Sequence, residues 1–188
     1  MSERKRIALL IDCDNVSHNS IEGVLEELAK YGMVNVRHAH GDWNNPSLSG
    51  WVDKLHPYAI RPMQQFAYTK GKNATDSAMI IDAMDLLYSG KVNGFCLVSS
   101  DSDFTKLATR LREAGMLVIG IGEKKTPNPF IVACDKFIYI EILKKLSEDK
   151  TDTKESIGTS VDKITNKEIN LISSSINDLS DEEGWAFL

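Results

Sequence analysis

With 188 residues, 42% of them hydrophobic and 26% charged, the chain has room for one buried core of ordinary size plus a short appendage. No apolar run approaches the roughly 20 residues a membrane span needs, and three scattered cysteines exclude a disulfide framework or a zinc-ligand spacing. The whole net charge of −5 falls on residues 151–188; residues 1–150 are balanced, which excludes a strongly basic or acidic main body.

The basic start Met1-Ser2-Glu3-Arg4-Lys5-Arg6 runs into a short apolar stretch that meets Asp12, so it reads as the entry to a strand rather than a signal peptide. Residues 6–12 are that strand. A turn from Asn15 to Ser20 follows, with Asn19 or Ser20 placed to cap a helix over Ile21, Val24, Leu25 and Leu28, and Gly32 placed to end it. Met33 to His40 alternate as a second strand. Pro46 and Ser47 open a short helix over Leu48, Trp51, Val52 and Leu55. Tyr58-Ala59-Ile60, between Pro57 and Pro62, begins a third strand. Residues 67–74 form a polar loop, and a helix from Thr75 to Tyr88 is apolar on more than one stripe (Ala78, Met79, Ile81, Ala83, Met84, Leu86, Leu87). Phe95 to Ser99 is the fourth strand, Asp103 to Ala114 the fourth helix with Gly115 as its cap, and Met116 to Ile121 the fifth strand. A helical turn over Phe130 to Cys134 and a short strand over Phe137 to Ile140 complete the repeat, and Leu143 and Leu146 allow a closing helical turn.

Strands alternating with helices imply a mainly parallel sheet of five to six strands with helices on both faces, a three-layer α/β/α architecture. In a doubly wound order the first and fourth strands are neighbours, which sets Asp12 opposite Asp101. The domain is expected over residues 1–148. A polar, Ser/Thr-rich linker follows over 149–165, and a partial module over 166–188 resumes an apolar rhythm at Ile169, Leu171, Ile172 and Ile176.

Two apolar runs stop on acids: Ile7-Ala8-Leu9-Leu10-Ile11 ends in Asp12-Cys13-Asp14-Asn15, and Phe95-Cys96-Leu97-Val98 ends in Ser99-Ser100-Asp101-Ser102-Asp103. Asp76, at the start of the long helix, belongs to the same sheet edge. Carboxylates gathered in one crevice repel unless a cation sits among them. Oxygen ligands suit Mg²⁺ or Mn²⁺, which can acidify water and neutralise phosphate charge. Acids, a hard ion and nearby Lys70 and Lys72 point to phosphodiester cleavage. Structural readings stand beside these: Asp103 as a helix cap, Asp76 as a charge favouring a helix N-terminus, Asp82 as paired with a lysine or a backbone group, Asp14 turned away from Asp12. Asn15, Ser99 and Ser100 are supporting polar groups or turn and strand-end residues. His18, His38, His40 and His56 show no metal spacing and read as structural, and Cys13, Cys96 and Cys134 read as small core residues. No glycine-rich phosphate loop occurs.

Leu9-Leu10-Ile11-Asp12-Cys13-Asp14-Asn15, Thr75-Asp76, Ile81-Asp82, Val98-Ser99-Ser100-Asp101-Ser102-Asp103-Phe104 and Gly115-Met116-Leu117-Val118-Ile119-Gly120 together resemble the NYN domain, of the LabA-like branch of the PIN-like nuclease superfamily. The resemblance covers roughly residues 5–145. It implies a PIN-like Rossmannoid fold and Mg²⁺- or Mn²⁺-dependent ribonuclease activity. It also implies Asp12, Asp76, Asp101 and Asp103 as the metal-site and catalytic acids. Asn15, Ser99 and Ser100 would support them, with Lys70, Lys72 and Asn15 toward the substrate. The segment Ile172 to Leu179, then Asp181-Glu182-Glu183 and Gly184 to Leu188, resembles the opening of an OST-HTH (LOTUS) domain, a module associated with RNA.

The expected partner is single-stranded or flexible RNA, with no membrane, a homodimer as an open assembly, and a reducing cytoplasm as the compartment. Two other readings remain at this point: a non-catalytic RNA-binding regulator, and a haloacid-dehalogenase-like phosphatase, since Asp12-x-Asp14-x-Val16 fits that nucleophile motif.

Overall fold

The computed structural model describes residues 4–65 and 74–143. The expected positions Lys70 and Lys72, the linker over 149–165 and the LOTUS-like segment over 166–188 lie outside the described residues.

Six strands form one sheet: β1 (Arg6–Asp12), β2 (Met33–Gly41), β3 (Arg61–Gln64), β4 (Gly94–Val98), β5 (Leu117–Gly122) and β6 (Lys136–Tyr139). Their order is β3-β2-β1-β4-β5-β6 and every pairing is parallel. This is the doubly wound arrangement, with its reversal of direction between β1 and β4. Period-2 alternation splits β1 between two cores. Ile7, Leu9, Ile11 and Cys13 pack on one face with α1 (Ile21–Leu28) and α2 (Ser49–Leu55). Ala8 and Leu10 pack on the other with α3 (Ala74–Ser89), α4 (Thr105–Glu113) and α5 (Asn128–Ala133). Both faces are covered, which is why β1 and β4 are near-continuous apolar runs rather than alternating ones.

Several local expectations shift. Tyr58-Ala59-Ile60 is a turn, with Ala59 at φ 49, and the third strand starts only at Arg61. Pro62 lies inside that strand, which is tolerable because β3 is an edge. Gly32 is not a left-handed cap: α1 closes at Ala29, and a Cβ on Gly32 would meet the Lys5 carbonyl oxygen at 2.2 Å. Gly115, at φ 79, does turn the chain out of α4 as expected. Ser17 rather than Asn19 accepts the capping bond ahead of α1, and Ser20 makes no side-chain cap. Helix α3 buries Asp76, Met79 and Ala83, at i, i+3 and i+7, but leaves Ile81 61% exposed. Ile81 lies about 200° around the helix from Met79, so its apolar character does not bring it inward. Residues 140–143 are helical, and Ile140 and Leu143 enter the α1-side core.

Candidate metal centre

The register Ile11↔Val98 sets the ends of β1 and β4 level, so Asp12 and Ser99 leave the sheet side by side. Asp12 points to the α3 face, following Ala8 and Leu10 at period 2. It is fully buried. Its Oδ2 accepts hydrogen bonds from Ser99 Oγ and Asn15 Nδ2, both at 2.8 Å. Its Oδ1 is buried with no hydrogen-bond partner among the described residues. Burial raises the Asp12 carboxyl; the bonds from Asn15 and Ser99 oppose that rise, and the charge of Asp14 adds to it. A buried carboxylate oxygen left without a donor is unfavourable unless something cationic reaches it.

Ser99 Oγ also accepts from the Asp101 backbone N–H at 3.1 Å. Asp101 in turn accepts the Asp103 N–H at Oδ1, 2.9 Å, and so caps the turn that opens α4. The capping role that the sequence allots to Asp103 therefore belongs to Asp101. Asp76 comes down from the first turn of α3. One carboxylate oxygen from each of Asp76, Asp101 and Asp103 lies within 4.8 Å of the others. Asp76 is pushed up to about 6, first by burial, then by the charges of Asp12, Asp101, Asp103 and Asp14 in that order. Among the described residues no lysine or arginine pairs with Asp12, Asp76 or Asp101; the ion pairs lie elsewhere.

This donor set fits a hard divalent cation. Three acids converge within a few ångströms, and a fourth, Asp12, presents an unpartnered oxygen at the back. Oxygen-only ligands favour Mg²⁺ or Mn²⁺ over softer metals. Asp14 is more peripheral: it is exposed and accepts the Thr75 hydroxyl at 2.8 Å. Asn15 and Ser99 both act on Asp12, whereas Ser100 accepts the Glu123 N–H at 2.9 Å and so fixes the loop after β5. A cavity of about 340 Å³ opens beside Asp14 and Asn15, lined also by His18, Ser47 and Trp51; neither Asp12 nor the three converging acids line it.

His38 and His40 carry no metal spacing in the sequence and read there as structural. In the structure both reach Asp82 Oδ2, His38 Nδ1 at 2.7 Å and His40 Nε2 at 3.0 Å. Burial pushes the Asp82 carboxyl up, but hydrogen bonds and charge from the two rings overturn that and hold it well below the usual carboxylate range. The signal available beforehand was the strand period: residues two apart on β2 share a face. Asp82 is paired, as expected, but its partners are histidines rather than a lysine or the backbone. The three cysteines are free and buried; burial holds all three thiols up, Cys134 to about 12, which agrees with their reading as core residues.

No curated protein matches the chain closely enough to count as a relative. A solved structure of a protein of unknown function from Vibrio parahaemolyticus shares the fold, at a TM-score of 0.62 and 21% identity, over 74% of this chain and 95% of that one. At that identity the likeness speaks for the fold alone. The NYN domain model matches residues 6–141, from the first strand to just past the last one, and includes every converging acid. The chain therefore belongs to the NYN domain family.

Proposed function

We propose that the protein is a metal-dependent endoribonuclease that hydrolyses phosphodiester bonds in single-stranded or flexible RNA. The observation that carries this reading is the meeting of Asp76, Asp101 and Asp103 beside the unpartnered Oδ1 of Asp12. A hard divalent ion, Mg²⁺ or Mn²⁺, when bound there, supplies the positive charge that acidifies water and screens a phosphate.

The chain's own groups have distinct tasks. Asp76, Asp101 and Asp103 would hold the ion at the open sheet edge, with Asp12 as a fourth carboxylate near them. Asn15 and Ser99 fix the Asp12 carboxylate by donating to Oδ2, which leaves Oδ1 directed elsewhere. Asp76, whose carboxyl lies at about 6 in the empty pocket, would give up that proton on taking up the ion and serve as a charged ligand, and the attacking water would lose its proton to solvent. The water oxygen bonds to phosphorus, the bond to the leaving ribose oxygen breaks, and that oxygen is protonated from solvent. The cavity next to Asn15 offers space for a nucleotide flanking the cleaved bond. Lys70, Lys72 and the LOTUS-like segment over 166–188 supply further contacts to the RNA backbone in this reading. Three free thiols agree with a reducing cytoplasm. Among the described residues no helix is long and apolar enough to cross a membrane.

The geometry disfavours a phosphatase that attacks through Asp12, because neither oxygen of that residue is exposed for in-line attack: Oδ2 accepts two hydrogen bonds and Oδ1 is buried. The deciding experiment compares wild type with Asp101→Asn on a labelled single-stranded RNA across Mg²⁺ and Mn²⁺ titrations. Asparagine retains an oxygen to accept the Asp103 N–H, so the cap survives while the ligand charge is lost. Cleavage is expected to fall at least about a hundredfold with an unchanged circular dichroism spectrum. Wild type that binds RNA but never cuts it would leave a non-catalytic RNA-binding regulator.

A further inference from the structure

A second group of metal-type donors lies under the same helix. His38 and His40 are two apart on β2, so both rings stand on the sheet face that α3 covers. Asp82 reaches down from α3 to both, with Oδ2 2.7 Å from His38 Nδ1 and 3.0 Å from His40 Nε2. One donor atom from each residue lies within 4.8 Å of the other two. Around a tetrahedral ion with bonds of about 2.0–2.1 Å, neighbouring donor atoms sit about 3.3 Å apart. A small outward movement of the rings from Asp82 therefore makes room for the ion. Two imidazoles and a carboxylate favour Zn²⁺ or Co²⁺ and are poor ligands for Mg²⁺. The His40 side chain is 1% exposed, His38 14% and Asp82 13%, so an ion would enter past His38 and Asp82 and keep a fourth position for water. Asp82 is six residues from Asp76, about 9 Å along the helix; His40 stands beside Asp12 in the β1–β2 register, so this group adjoins the carboxylate pocket while sharing no ligand with it.

We propose that His38, His40 and Asp82 form a reversible Zn²⁺ site that ties β2 to α3. Coordination through His40 Nε2 moves the ring proton to Nδ1, which is buried with no hydrogen-bond partner among the described residues. An unpaired buried N–H weakens binding by about one to two orders of magnitude relative to a site with all donors satisfied. Exchangeable binding is therefore expected, not a permanently filled structural site.

The test uses the purified full chain stripped by a chelator, then titrated with Co²⁺ and with Zn²⁺. One equivalent of Co²⁺ should give visible d–d bands of low-coordinate intensity, displaced by Zn²⁺ but not by millimolar Mg²⁺. The bound Co²⁺ should also give two hyperfine-shifted, exchangeable imidazole N–H signals in the proton spectrum. His38→Ala and Asp82→Asn should each weaken Co²⁺ binding at least tenfold, while Asp101→Asn leaves it unchanged. Absence of those bands in wild type, their loss on adding Mg²⁺, or their persistence in both His38→Ala and Asp82→Asn would overturn the proposal. Should either of those two variants fail to fold, the wild-type imidazole signals and the Mg²⁺ competition still decide it.

Discussion

A carboxyl raised to about 6 at Asp76 has opposite consequences for the loaded and the empty protein. Ion binding at the pocket must displace whatever proton Asp76 holds. Mn²⁺ affinity is therefore expected to be level above about pH 7 and to fall about tenfold per unit below about pH 6, which calorimetric titration from about pH 5 to 8 would check. Without an ion, the folded state holds the Asp76 proton more tightly than the unfolded chain, whose carboxyl keeps the ordinary value of 3.8. This one group then makes the empty fold more stable as the pH drops from about 6 toward that value. Ser99 offers a second check. Ser99→Ala deletes a donor to the buried Asp12 carboxylate and the acceptor of the Asp101 N–H. A loss of about 1–3 kcal/mol in denaturant unfolding is expected, together with weaker Mn²⁺ binding. The acids themselves were legible in the sequence because strands that end on aspartates deliver them to one edge. Which oxygen each uses was not legible: the cap at Asp101 depends on local backbone angles that no residue pattern specifies.

Elements place these residues, and their close approaches can be probed directly. A Cβ on Gly122, the last residue of β5, would lie 2.5 Å from the Ser99 carbonyl oxygen and 2.7 Å from Thr126 Oγ1. Gly122→Ala must therefore push the end of β4 away from β5. It is expected to weaken ion binding more than it lowers Tm, seen by comparing calorimetry with thermal melts. Phe104, fully buried right after the acidic turn, anchors the start of α4 against Phe130. Phe104→Ala should cost about 3–5 kcal/mol of stability. Apolar runs bounded by acids or glycines were enough to find β1, β4 and β5, because both sheet faces are buried there, and β2 was found from its alternation. The third strand was begun three residues early, at Tyr58, because Tyr58-Ala59-Ile60 reads as apolar and extended, whereas Ala59 at φ 49 turns the chain before Arg61. The all-round apolar character of α3 hid which stripe faces inward; that is set by Asp76, Met79 and Ala83 together.

For the whole molecule, alternation of strands and helices sufficed to predict a mainly parallel sheet covered on both faces and the adjacency of β1 and β4, since parallel crossovers leave few other arrangements. The His38–Asp82–His40 group was invisible because it joins a strand to a helix about forty residues later, with no spacing rule between them. Ion binding at the carboxylate pocket should also be felt by the fold as a unit. At a Mn²⁺ concentration about a hundred times the dissociation constant, wild type is expected to gain about 2.7 kcal/mol, and a variant carrying both Asp101→Asn and Asp103→Asn to gain almost none. Differential scanning calorimetry with and without Mn²⁺ would measure this.

The inaccessible oxygen of Asp12 carries one more implication, for discrimination between hard ions. An ion that remains fully hydrated cannot touch an atom so deep in the protein. It must shed part of its water shell on the way in, and Mg²⁺ sheds water reluctantly. If the proposed ion sits against that atom, its depth would act as a dehydration filter, under which Mn²⁺ should load faster than Mg²⁺ at equal concentration.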